Sequence, residues 1–431
     1  MTISKENLFL AILLPSILLG SISVGLPNGV LGSTQPFLAN NVGVSKQTIN
    51  FMWTIGAVGN FIGSFFTGFI FKSFIRGTHS KLYFLSLNIL LFGSLLTSVP
   101  WHNSFSLLLF TYFSAAFTSI SFNTALHSMI VFMLGPKKSR PFLQLVEAFR
   151  ATGFLLGSLL ILPFLPVSDP NTCSEKPTTI DHEEISLPLP FLLVGLSHGF
   201  AAITMLLHLC TGQNMPDFCQ DQEDDSDCQK IEKLMNPKTI LFLAFIFYLL
   251  SCGGNAILQS QSFTVGLCGN LKMTPSNAAH LQITYFVCFM IGRFSGVIIS
   301  NYLQPKVIII VSITCCLATT IFILSFGRWT VPGLFAGVGV TGFFLAFQFA
   351  SGFSWLADYL DMSGLNSCIV FLGCSGGFLV SPPLAGVLKS PDEVFYLVLG
   401  FTLAQALVVF FLQLLLRGKV SQGNDINSIT L

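Results

Sequence analysis

The chain has 431 residues, of which 52% are hydrophobic and 9% charged, with 45 phenylalanines and a mean hydropathy of +0.75. Soluble domains carry about 25% charged residues, so this composition excludes a water-soluble globular protein. Twenty lysines and arginines against 19 acids leave a formal charge of +1. That balance gives no electrostatic footprint for nucleic acid, and the partner implied is the lipid bilayer.

In chain order, apolar stretches recur at approximately 8–31, 48–71, 82–100, 105–134, 142–166, 188–211, 238–262, 278–300, 306–327, 331–357, 364–388 and 392–416. Each is near the roughly 20 residues that a helix rising about 1.5 Å per residue needs to cross the hydrocarbon core. Alternating segments of about ten residues are missing, which disfavours a β-barrel. The expected fold is therefore an all-α membrane protein with twelve transmembrane helices, whose backbone polar groups are satisfied within each segment. The first stretch follows Lys5 closely, as a signal peptide would. Its length and the lack of a small-x-small cleavage site predict an uncleaved helix instead.

An even number of spans returns the chain to the side from which it started. With the N and C termini cytoplasmic, that face collects Lys5, Lys72, Arg76, Lys81, Lys137, Lys138, Arg140, Lys230, Lys233, Lys238, Arg293, Lys306, Arg417 and Lys419. The opposite face receives only Lys46, Lys176, Lys272, Arg328 and Lys389, a bias that supports this orientation. Two polar stretches interrupt the pattern, an exterior loop at 167–187 and an interior loop at 212–237 rich in Asp and Glu. The second divides the chain into an N-terminal six-helix bundle (1–211), an acidic cytoplasmic linker (212–237), a C-terminal six-helix bundle (238–417) and a tail (418–431). Such a linker is ordinarily solvated. The eleven cysteines show no metal-ligand spacing, so no metal site or cofactor is expected. Cys173 and Cys268 share the exterior face and are candidates for a disulfide, although sequence does not supply their separation.

The two halves repeat one another. Gly59-Asn60-Phe61-Ile62-Gly63 in the second stretch matches Gly292-Arg293-Phe294-Ser295-Gly296 in the eighth. Gly153 and Gly157 followed by Pro163 match Gly373 and Gly377 followed by Pro382. Parallel repeats leave this trace, and small residues four apart let helices approach closely in lipid. Pro27 between Gly25 and Gly29 reads either as a hinge that presents backbone carbonyls or as packing alone.

Ionisable side chains deep in a span cost roughly 2.5–3.5 kcal/mol each on insertion scales, so each one is a functional candidate. Glu147 and Arg150 lie three apart in the fifth stretch, on one helical face, and His127 reaches a similar depth if the fourth and fifth stretches form an antiparallel hairpin. The cluster reads either as a static salt bridge or as a gate, with His127 able to sense protons.

Twelve spans in two halves around a polar central loop resemble the major facilitator superfamily, and within it the sodium-dependent glucose transporter-like group, relatives of the bacterial fucose permease. The resemblance is carried by Leu31-Gly32-Ser33-Thr34, Gly43-Val44-Ser45, Asn123-Thr124 with His127, Leu134-Gly135, Pro141-Phe142-Leu143-Gln144 with Glu147 and Gly153. Ala278-Ala279-His280-Leu281, Tyr285-Phe286, Gly292-Arg293 and Ser351-Gly352-Phe353-Ser354-Trp355-Leu356 extend it into the second half. Lys72 stands where the superfamily's loop after the second span usually has an acid, and the acids of proton-coupled relatives in spans 1 and 4 are missing.

The resemblance implies a cavity lined mainly by spans 1, 4, 7 and 10. Its implied substrate-binding residues are Asn28, Asn123, His127, Asn255, Gln259, Gln348 and Trp355, with Gln282 and Tyr285 beside them, while Glu147, Arg150, Gln144 and Arg293 are the implied gating or coupling residues. These amides and aromatic rings suit the hydroxyls and C–H faces of a sugar. The expected function is a secondary transporter for a neutral polar solute, a hexose such as glucose, acting as a monomer in the plasma membrane rather than an endomembrane. No P-loop offers ATP drive, and symport with Na⁺ or H⁺ and facilitated diffusion both stay open. The alternatives are a non-transporting nutrient sensor or scaffold and a facilitator of another small organic solute. No paired acids, metal cluster or nucleophile elbow suggests an enzyme.

Overall fold

The computed structural model describes residues 13–44, 48–73, 75, 78–164, 188–210, 237–360, 365–388 and 390–427. Twelve helical segments among these residues are long and apolar enough to cross a bilayer. Spans 1 to 6 are Leu14–Gln35, Phe51–Ile70, His79–Trp101, Phe105–Val131, Pro141–Phe164 and Pro188–His208. Spans 7 to 12 are Lys238–Cys268, Ser276–Ile299, Pro305–Trp329, Val331–Ala357, Asn366–Gly386 and Pro391–Leu416. All twelve coincide with the predicted stretches, six on each side of the acidic segment. Residues 211–236 of that segment lie outside the described residues, and Pro237 already opens the helix Pro237–Cys268.

Four boundaries differ from the sequence expectation, one of them the last helix, which runs from Val394 to Asn427 into the expected tail. The first helix runs to Asn41 and is closed by Gly43, whose φ of 67° lies in the left-handed region. There the Gly43 amide donates to Asn40 and the Val44 amide to Ala39, a terminating pattern that needs a residue without a Cβ penalty. Span 7 continues past 262 because Ser260 and Ser262 donate their hydroxyls to the carbonyls of Ala256 and Leu258, so their polarity stays within the helix. Helical backbone is continuous over Phe105–Ile161, through the Leu134-Gly135 segment expected to be a loop. His127 Nε2 nevertheless sits 3.1 Å from Glu147 Oε1, whereas the same separation along a straight helix would be about 30 Å. The run therefore doubles back between spans 4 and 5, as the hairpin expectation required.

Glycine crossings lock each half. A Cβ added at Gly25 would fall 2.2 Å from the Arg150 carbonyl oxygen, and one at Gly153 2.1 Å from that of Ile22. Gly29 and Gly157 repeat this against Phe154 and Leu26 at 2.2 and 2.1 Å, so spans 1 and 5 touch backbone to backbone. The second half does the same between spans 7 and 11, where a Cβ added at Gly373 or Gly377 would fall 2.5 Å from the carbonyl oxygen of Phe245 or Leu249. Gly59 crosses span 4 and Gly292 crosses span 10 so closely that an added Cβ would fall 2.3 Å from the carbonyl oxygen of Phe113 or Phe343. The repeated glycines of the sequence are thus repeated helix crossings, and the Gly25/Gly29 pair is filled by span 5.

Across the halves, span 2 packs on span 11 and span 5 on span 8. Outward faces carry exposed apolar side chains such as Phe65, Phe110, Leu196, Phe200 and Leu407, as a lipid-facing surface requires. Cys268 is disulfide-bonded. Cys173, its partner as expected from sequence, lies outside the described residues.

Candidate functional site: a cavity between the halves

A cavity of about 190 Å³ lies on the interface of the two halves. The first half contributes Asn28 from span 1, Trp53 and Asn60 from span 2, and Tyr112 and Asn123 from span 4. The second half contributes Ser251, Asn255 and Gln259 from span 7, with Phe349 and Phe371 from spans 10 and 11. Glu147, Arg150 and Arg293 also line it, and Glu147 and Arg150 belong to the first turns of span 5.

The span 7 wall has a simple origin in sequence. Ser251, Asn255 and Gln259 are spaced four apart, so they stack along one face of a helix. Each is held from behind by a residue outside the cavity lining. Ser251 Oγ donates to Gln348 Oε1 at 2.8 Å, and Gln405 Nε2 donates to the same oxygen at 3.0 Å. The Tyr285 hydroxyl donates to Asn255 Oδ1, which leaves the Asn255 amide hydrogens for another acceptor. Gln282 Nε2 donates to the Gln259 carbonyl at 3.3 Å, and Gln282 Oε1 accepts from Ser33 Oγ of the first half at 3.3 Å.

At the closed end, Glu147 is 2% exposed and accepts a hydrogen bond from Arg150 one turn along. Arg293 Nη2 approaches the same carboxylate oxygen from the other half at 3.6 Å. His127 lies 3.1 Å from the second oxygen but off the line of a hydrogen bond, and its Nδ1 bonds the Asn123 carbonyl at 2.8 Å. Its ring meets Phe349, Phe353 and Phe371 of the second half, with centroids 5.8, 6.2 and 5.2 Å away. Phe349 also lies 6.0 Å from the Arg150 guanidinium and 5.9 Å from that of Arg293, which stacks on Phe289 at 5.0 Å. One turn beyond, Gln144 Nε2 donates to Ser351 Oγ across the interface at 3.4 Å. Pairing offsets part of the cost of burying these ions, and because the partners come from different halves the cluster closes this end.

Of the residues singled out from the sequence, Asn28, Asn123, Asn255, Gln259, Glu147, Arg150 and Arg293 meet at the cavity. His127, Gln144, Gln282, Tyr285 and Gln348 stand behind them as supports. Trp355 is elsewhere, in a cleft at the end of span 10 with Tyr302, Lys306 and Asp358. Several lining residues were not anticipated, among them Trp53, Asn60, Tyr112, Ser251, Phe349 and Phe371. Asn60 had a signal, because it is the repeat mate of Arg293, and both face the cavity. Trp53 and Tyr112, whose rings meet edge-on at 5.8 Å, had none, since each sits in an apolar run like any core aromatic.

The twelve spans, the duplicated glycine crossings and the shared central cavity define a class, the major facilitator fold. No family model matches the chain. Its sequence is similar to Sodium-dependent glucose transporter 1 of Xenopus laevis, 23% identical over 370 residues, covering 84% of this chain and 72% of that protein. The human protein of the same name is 22% identical over 409 residues, covering 90% of this chain and 76% of the relative. Major facilitator superfamily domain-containing protein 4A of Xenopus tropicalis is 22% identical over 456 residues, covering 91% and 89%. Among solved structures, the superfamily transporter FucP in its outward conformation superposes with a TM-score of 0.69 at 15% identity, covering 93% of this chain and 99% of that one. A single-residue variant of the E. coli fucose:proton symporter FucP superposes at 0.63 with 17% identity, covering 93% and 97%. The chain has the fold of the major facilitator superfamily and resembles the sodium-dependent glucose transporters in sequence.

Proposed function

We propose that this integral membrane protein is a secondary transporter that carries a sugar, a hexose such as glucose, by rocking its N-terminal and C-terminal six-helix bundles about the central cavity. One observation carries the reading: amide and hydroxyl groups from both halves face a shared cavity that an ion cluster between the halves closes at one end. Neutral donors and acceptors beside aromatic rings suit a polyhydroxy solute. Alternating access needs a closure that is broken and remade between the two repeats. The Glu147–Arg293 contact is such a closure. With the termini cytoplasmic, it lies on the inner side of the cavity, while Ser33 and Gln282 join the halves on the outer side. The relatives' names support a sugar, and we place the protein in the plasma membrane as a monomer.

Glu147 is the carboxylate placed to couple transport to Na⁺ or H⁺, with His127 beside it. Among the described spans the other carboxylates are Asp392 and Glu393, at the first turn of span 12. Uptake of labelled glucose into proteoliposomes, with and without imposed Na⁺ and H⁺ gradients, tests the reading. Accumulation above equilibrium under one gradient identifies symport, and simple equilibration identifies facilitated diffusion. A folded preparation that takes up no hexose overturns the sugar reading and leaves the sensor or scaffold and the facilitator of another solute.

Asn255→Ala is expected to raise the half-saturating sugar concentration about tenfold, the worth of about 1.4 kcal/mol, with little change in maximal rate. Tyr285→Phe frees Asn255 to turn and shifts the same constant in the same direction by a smaller factor. Concentration-dependent uptake measures both.

A further inference from the structure

We propose that the closed end of the cavity binds an anion, a single carboxylate or a comparably small oxyanion held by Arg150 and Arg293. The inference rests on the transport reading and refines the class of solute: either the sugar itself carries the acid group, as a hexuronate does, or a free anion enters beside a neutral sugar. Both sources share the chemistry that the site selects.

Charge counting is the first observation. Arg150 and Arg293 both line the cavity, and among the described residues Glu147 is the only carboxylate there. Guanidinium groups stay protonated in proteins, so one positive charge is left over. Asp392 and Glu393 belong to the opposite end of the molecule, where the Asp392 carboxylate accepts from the Asn270 amide at 2.7 Å in the turn between spans 7 and 8.

Unused donors are the second. The Arg293 side chain is 5% exposed, yet its Nε and Nη1 have no hydrogen-bond partner among the described residues. The guanidinium approaches a carboxylate only through the 3.6 Å contact of Nη2 with Glu147. Buried donors are paired as a rule, and an orphaned pair on a fixed cation beside a cavity marks where an acceptor belongs. Gln144 Oε1 is also buried without a partner, but it is neutral and does not balance the charge. Phe289 and Phe349 pack near the guanidinium, and Nε and Nη1 are almost wholly covered, so an anion reaches them only as a neighbouring side chain gives way. A planar fork suits a carboxylate, which it can meet with two parallel hydrogen bonds. The Ser251, Asn255 and Gln259 face above it would then take hydroxyls.

The test uses the full-length protein in proteoliposomes and nanodiscs, with glucose, glucuronate and formate as probes. A half-saturating concentration for glucuronate about tenfold below that of glucose assigns the anion to the sugar. A similar drop in the glucose constant on adding formate assigns it to a free ion. Arg293→Gln should bring either ratio close to one, and Arg293→Lys, which keeps charge without the fork, should fall between. Should both variants misfold, the wild-type ratios decide alone. Glucose uptake without any advantage for glucuronate and without any effect of formate overturns the anion site and leaves the transport reading standing. If neither sugar is taken up, the sugar reading falls. Thermal stabilisation of wild-type protein by formate then decides the anion site, its absence overturning the proposal.

Discussion

Replacing Glu147 by glutamine is expected to lower the uptake rate at least about tenfold and to lower the melting temperature of the purified protein, while the side chain keeps its shape. Breaking a buried ion pair by removing one partner typically costs about 3–5 kcal/mol, because the remaining charge is stranded. Two would be stranded here. Arg150 and Arg293 would face one another across the halves with no carboxylate between them, and the closure would become a repulsion. The double variant Glu147→Gln with Arg293→Gln returns the site to its original net charge and should recover much of the lost stability without recovering transport, a coupling that a double-mutant cycle reads directly. Unchanged uptake at an unchanged amount of surface protein would instead leave the cluster a purely structural role.

Gly153→Val is expected to abolish the folded protein. The new Cβ would lie 2.1 Å from the Ile22 carbonyl oxygen, backbone that no rotamer change can move. Ordinary overpacking costs about 1–3 kcal/mol because side chains shift to make room. Here spans 1 and 5 must separate along their whole crossing, so the loss should exceed that range. Gly157→Val, Gly373→Val and Gly377→Val should behave alike, since each meets a carbonyl of the facing helix. Gly199→Val and Gly400→Val are the controls, with nothing within 4 Å of the added carbon. Size-exclusion profiles and melting curves separate the two groups, and a monodisperse Gly153→Val protein would refute the packing argument.

Depth in the membrane was legible from the sequence, and direction around each helix mostly was not. Apolar run length located the spans, and the glycine repeats located the crossings. The spacing of Glu147 and Arg150, with the depth of His127, brought three distant residues to one place. Azimuth failed where a span is buried on nearly every side, because a uniformly apolar helix has no polar face to orient it. Span 10 is the clearest case. Gln348, chosen as its polar residue, points to Ser251 and Gln405, while its neighbour Phe349 lines the cavity. Span 7 succeeded for the opposite reason, since its amides recur at the helical period.

The interlocked glycines carry a mechanical consequence. A flexing point at Pro27 would have to pull Gly25 and Gly29 out of the backbone of span 5, so the first helix is splinted where its own sequence most invites a bend. Spans 7 and 11 are held in the same way at Gly373 and Gly377. On the transport reading proposed above, these paired helices would move together, and the work of changing state would fall on the contacts between the halves.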